Sequence, residues 1–144
     1  MSTYNIVEIA EKFNKNIKKI INILNQSIPN NILLDTIKRR TKIVIDSDPF
    51  YLIEEGGVYI FNYRDYIKDN QVEQLLLNYD QVIQSDKDVQ DYLNENSKES
   101  KDINQLLGLL KNVWNTYSSE EKKVINKIFK ILLSEYCKFL SLKN

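Results

Sequence analysis

The segment DINQLLGLLKNVWNTYSSEEKKVINKIFKILLSEYCKFLSL, residues 102–142, decides the fold class. Ile103, Leu106, Leu107, Leu110, Val113, Trp114 and Tyr117 recur at the three- and four-residue spacing of a single helix face. Ser118-Ser119-Glu120-Glu121 then reads as a capping box: the Ser118 hydroxyl accepts from the Glu121 N–H, and the Glu121 carboxylate reaches back. A second stripe follows through Val124, Ile125, Ile128, Phe129, Ile131, Leu132, Tyr136, Phe139 and Leu140. A connection this short predicts antiparallel packing of the two stripes, with Trp114, the only tryptophan, facing inward. Cys137, beside Tyr136, reads as a packing residue.

The upstream sequence supplies further helices to pack on this hairpin. Ile6, Ile9, Ala10, Phe13, Ile17, Ile20, Ile21 and Leu24 make one apolar stripe over residues 5–26, with Asn5 and Glu8 as the capping pair. Pro29 stops that helix, because it lacks an N–H and its ring clashes with the preceding turn. A second helix over residues 31–45 carries Leu33, Leu34, Ile37, Thr41, Val44 and Ile45 inward. It also holds the densest basic cluster, Lys38, Arg39, Arg40 and Lys42, which reads as a solvated face or as a phosphate-binding patch.

Asp46-Ser47-Asp48-Pro49 has two readings. After a strand, Asp46 and Asp48 would resemble the carboxylate pair that holds Mg²⁺ or Mn²⁺ in nucleotide-sugar transferases or phosphatases. After a helix, Asp48 is an N-cap and Pro49 the first helical residue, where a missing N–H costs nothing. The cap is the better reading, because no strands alternate with helices here and no glycine-rich loop is present. Residues 51–61 read either as a hairpin with a Gly56-Gly57 turn or as a helix interrupted or kinked at those glycines, the helix being favoured. Adjacent glycines would let a neighbouring helix approach closely. Aromatic residues are densest here, and Tyr51, Tyr59, Tyr63 and Tyr66 are candidate protein-binding residues, since tyrosine is enriched at interfaces. Asn70 and Glu73 suggest the cap of a shorter helix ending near Tyr79. Residues 85–101 form a charged linker or a short helix carrying Val89, Tyr92 and Leu93, with 94–100 expected as the linker proper.

At 144 residues the chain is one domain, predicted as a single all-α bundle of about six helices ending in the C-terminal hairpin. Twenty basic residues balance twenty acidic ones, so no global field draws the chain to a polyanion, although a local patch could. One cysteine gives no intrachain disulfide, and the N-terminal residues do not read as a signal peptide; an intracellular, non-secreted protein without a membrane span is expected. The chain contains no histidine, which removes Ser-His-Asp and Cys-His catalysis, histidine-assisted zinc sites and imidazole acid–base chemistry. No enzyme activity, cofactor or metal is expected. The abundance of Ile, Asn and Lys points to an AT-rich genome.

The run Leu106-Leu107-Gly108-Leu109-Leu110-Lys111-Asn112-Val113-Trp114, the Ser118/Ser119-Glu-Glu-Lys122 turn, and then Val124-Ile125 and Ile131-Leu132-Leu133 resemble the C-terminal half of a viral group. These are short helical proteins of nucleocytoplasmic large DNA viruses, mimivirus-like and chlorella-virus-like. Phe13, Ile28-Pro29, Asp48-Pro49 and the glycine-containing segment ending near Ile67 extend the likeness upstream. The resemblance implies a viral protein, virion-associated or acting in the host cytoplasm, with a viral or host protein partner; it carries no catalytic residues across. Two other expectations stand beside it. One is a nucleic-acid-associated factor using Lys38, Arg39, Arg40 and Lys42 with the lysines of the first helix. The other is a helical mimic of host apoptosis regulators, which would need a hydrophobic groove for an amphipathic helix.

Overall fold

The structure is a computed structural model that describes residues 5–85 and 97–143, with side chains for 5–78 and 104–143. All regular structure among the described residues is helical. It comprises α1 (Ile6–Ser27), α2 (Ile32–Ser47), α3 (Tyr51–Asn62), α4 (Arg64–Lys68), α5 (Val72–Ser85), α6 (Ser97–Val113) and α7 (Ser119–Lys143), with a 3₁₀ turn at Trp114–Thr116. The all-α bundle is as the sequence predicts. Residues 86–96, which include Val89, Tyr92, Leu93 and part of the expected linker, lie outside the described residues. Ser97–Ser100, expected as linker, begins α6 instead.

Each helix boundary has a local chemical cause. Asn5 Oδ1 accepts from the Val7 N–H at 2.8 Å and starts α1. α1 ends where Pro29 cannot donate, and Asn30 (φ 64°) reverses the chain in the left-handed region that asparagine tolerates. Asn31 Oδ1 then accepts from the Leu34 N–H at 2.9 Å and caps α2. Asp48 Oδ1 accepts from the Phe50 N–H at 3.0 Å, so the aspartate tightens the α2–α3 turn. Pro49 sits in that turn and α3 begins only at Tyr51, two residues later than a simple Asp48 cap would place it.

Residues 51–62 form a helix, as favoured, and α3 continues through Gly56 and Gly57 without the interruption expected there. The interruption comes at Tyr63, between α3 and α4. The predicted Asn70–Glu73 cap is also corrected. Asn70 has φ 59° and closes α4 instead: its N–H bonds to the Ile67 carbonyl at 3.2 Å and the Gln71 N–H to the Tyr66 carbonyl at 2.7 Å. That is the paired bond pattern of a Schellman ending. The capping box before α7 is as predicted in both directions. The Glu121 N–H donates to Ser118 Oγ at 3.1 Å, and the Ser118 N–H donates to Glu121 Oε1 at 2.9 Å.

The packing has a different centre from the one expected. The principal neighbour of α7 is α1, not α6, and α1 also touches α2, α3 and α6. Phe13, Leu24, Ile53, Ile67, Leu110 and Leu132 are fully buried around it. Trp114 is buried as predicted, edge-on to Tyr117 with ring centroids 6.4 Å apart. Tyr117 Oη in turn accepts from Ser27 Oγ at 2.8 Å, which ties the end of α1 to the turn before α7. Burial pushes the Tyr117 phenol above its ordinary range, a shift that the Ser27 hydrogen bond partly offsets. Leu33, Val124 and Cys137, expected inside, are exposed.

Three buried polar residues on the helix stripes escape a hydrophobicity pattern. Asn14 Nδ2 donates to the Pro49 carbonyl at 2.9 Å and pins the α2–α3 turn to α1. Asn16 Nδ2 donates to the Lys12 carbonyl at 2.8 Å. Glu135 on α7 is buried and pairs with Lys12 of α1 at 3.4 Å and with Lys138 at 3.2 Å.

Candidate binding surface

The four candidate tyrosines do not form a surface. Tyr59 and Tyr63 are 3% and 2% exposed and belong to the core, while Tyr51 and Tyr66 are half-buried. The reason is local geometry: Tyr59 stands on the side of α3 that already buries Ile60, and Tyr63 follows four residues on, at the junction of α3 and α4. The exposed aromatic of this segment is Phe61, with the Arg64 guanidinium 4.4 Å above its ring and Tyr136 6.2 Å away, centroid to centroid.

The basic cluster is exposed on α2 at all four positions, but consecutive residues fan around a helix rather than share one patch. Lys38 and Lys42 lie one turn apart, Arg39 lines up with Ile43, and Arg40 reaches the rim of a cavity. The metal-site reading of Asp46 and Asp48 is overturned in its premise. Lys42–Ile45 is helix and not strand, and the Asp48 carboxylate already holds the Phe50 N–H. Among the described residues no group of three His, Cys, Asp or Glu side chains is placed to hold a metal ion.

The cavity is the feature that sequence reading missed. It has a volume of about 100 Å³ and lies where six helices converge. Ile17, Val44, Leu52, Leu75, Leu106 and Phe129 represent α1, α2, α3, α5, α6 and α7 in its wall. Half-exposed Tyr51, Leu52 and Gly56 together with exposed Arg40 place its mouth between α2 and α3. Its walls are mostly apolar; Arg40, Thr41, Glu55 and the tyrosines Tyr51, Tyr59 and Tyr63 are the residues there that carry a charge or a hydroxyl. Thr41 Oγ1 is turned onto its own helix, donating to the Ile37 carbonyl at 2.8 Å. An apolar space of this kind gives water few partners and stays dry. No single stripe signals it, because a gap between helices depends on how far apart their backbones settle.

Comparison of the chain with family models, with curated proteins and with solved structures gives no match. No helix among the described residues is long and apolar enough to cross a membrane.

Proposed function

We propose that the protein is a non-enzymatic interaction protein that receives an apolar anchor of a partner protein in the cavity between α2 and α3. The observation that carries this reading is the cavity itself: about 100 Å³, apolar, and open at one side. An engineered apolar cavity of about 150 Å³ admits benzene; at about 100 Å³ this one has room for a single branched aliphatic side chain. An amphipathic helix laying one apolar residue into a groove is the recognition mode that fits. That is also the mode expected for a helical modulator of host apoptosis. The viral resemblance of the C-terminal half extends the reading to a viral or host partner, in the virion or the host cytoplasm, and supports it by resemblance alone.

The test uses Val44→Phe, which places a ring in the cavity from α2. In NMR titrations with xenon as the probe, the parent should show saturable shifts at the Val44 and Leu106 methyls. The Val44→Phe variant should lose the response at Leu106 while melting at or above the parent temperature. Capture from the native source with both baits, read by mass spectrometry, should recover a partner with the parent and lose it with the variant. Identical captures would overturn the reading.

A further inference from the structure

A second surface lies on the outside of α2, away from the cavity. Residues 12–45 contain eight Lys or Arg (Lys12, Lys15, Lys18, Lys19, Lys38, Arg39, Arg40 and Lys42) against one acid, Asp35. This imbalance sits inside a chain whose charges cancel overall. The acids nearest this span, Glu8, Glu11, Asp46 and Asp48, fall at the open end of the α1–α2 hairpin, the end that the Asn14–Pro49 hydrogen bond marks. Along the rest of the hairpin the exposed charges are mostly basic: Lys15, Lys18 and Lys19 on α1 and Lys38, Arg39 and Lys42 on α2, against the one exposed acid Asp35.

Among these cations stand two aliphatic side chains in solvent. Ile32 is 83% exposed and Ile43 64%, the two most exposed large hydrophobic residues among the described side chains. Ile32, Arg39 and Ile43 follow one stripe of α2 at seven- and four-residue spacing, with Leu33 beside them also exposed. A lone exposed aliphatic residue is ordinary. Two on one stripe, with Arg39 between them and Lys42 beside them, form the pattern of a helix that rests on a lipid surface.

We propose that the outer face of α2, extended by the lysines of α1, docks the protein on an anionic lipid bilayer. Ile32 and Ile43 enter the boundary between headgroups and acyl chains, and the cations meet lipid phosphates and carboxylates. Charge alone would suit a nucleic acid equally well. The exposed isoleucines decide between them, because a sugar-phosphate backbone offers branched aliphatic side chains nothing to bury against. This surface is independent of the cavity and uses different residues.

Cosedimentation of the full chain with vesicles tests the proposal. Vesicles of phosphatidylcholine with about one-third phosphatidylserine should bind the protein about ten-fold better than phosphatidylcholine alone, and the advantage should fall as salt rises. Arg39→Glu/Lys42→Glu should abolish that preference. Ile32→Ser/Ile43→Ser keeps every charge and should still lose most of the binding. All four side chains are exposed, so the variants should keep the parent's circular dichroism and melting temperature. Equal binding by the isoleucine variant would overturn the proposal by reducing the contact to electrostatics. Failure to bind anionic vesicles while duplex DNA binds would overturn it in favour of nucleic acid. Neither result would touch the cavity, which these substitutions leave intact.

Discussion

Gly57 of α3 lies directly beneath the ring of Tyr136 on α7, so close that a Cβ at position 57 would overlap the ring carbons Cγ, Cδ1 and Cε1. The glycine is therefore the contact point of the two helices. Burial of Tyr136 there raises its phenol pKa. Gly57→Ala should destabilise the fold by about 1–3 kcal/mol, the usual cost of overpacking. Gly56→Ala, one residue away at the cavity wall, should instead gain up to about 1 kcal/mol from helix propensity. Urea melts of the two variants should move in opposite directions; similar shifts would mean that α3 and α7 do not meet at Gly57.

Trp114 closes the bundle from the 3₁₀ turn before α7, buried and edge-on to Tyr117. Trp114→Ala should cost roughly 3–5 kcal/mol. A urea midpoint equal to the parent's would place the indole outside the core.

The stripes, caps and breakers of this chain were legible because each is a short-range rule. Asn5 and the Ser118–Glu121 box act within three residues, and Pro29 acts on its own turn. The glycine pair shows where such rules stop. Propensity predicts a break at Gly56-Gly57, but the contact with Tyr136, far away in sequence, makes a continuous helix with a bare backbone at Gly57 the better packing. Asn70 misled for the same reason in reverse, since its left-handed φ serves the helix before it and not the one after. The tyrosines of α3 could not be sorted into core and surface without knowing which arc α1 and α7 cover. The cavity and Glu135 had no local signature at all.

Glu135 lies buried at the α1–α7 contact, with its Oε1 held by Lys12 and Lys138. Either lysine alone still compensates the carboxylate, so Lys12→Ala should cost little; its side chain is half in water. Lys12→Ala/Lys138→Ala leaves a buried uncompensated charge and should cost about 3–5 kcal/mol, more than the two single losses together. Glu135→Met removes the charge and keeps the volume, and should be near neutral or stabilising. A double-mutant cycle in urea reads all three, and strict additivity would show that the triad is not coupled.

The Ser118–Glu121 box makes stability depend on pH in a defined direction. The Ser118 backbone N–H, and then its hydroxyl, hold the Glu121 carboxyl below its ordinary range. A group depressed in the folded state stabilises the fold fully above its unfolded value, about 4.3 for glutamate. That contribution is lost as pH falls through the folded value. Glu121→Gln keeps a side chain able to accept from the Ser118 N–H but cannot titrate. Melting curves of the parent should therefore fall more steeply than those of Glu121→Gln on acidification from pH near 5 towards 3, and the two should differ by a constant amount above that window. Ser118→Ala, which removes the hydroxyl that accepts from the Glu121 N–H, should cost about 0.5–2 kcal/mol at neutral pH. Parallel acid limbs for the parent and Glu121→Gln would show that the reciprocal bond does not persist in solution.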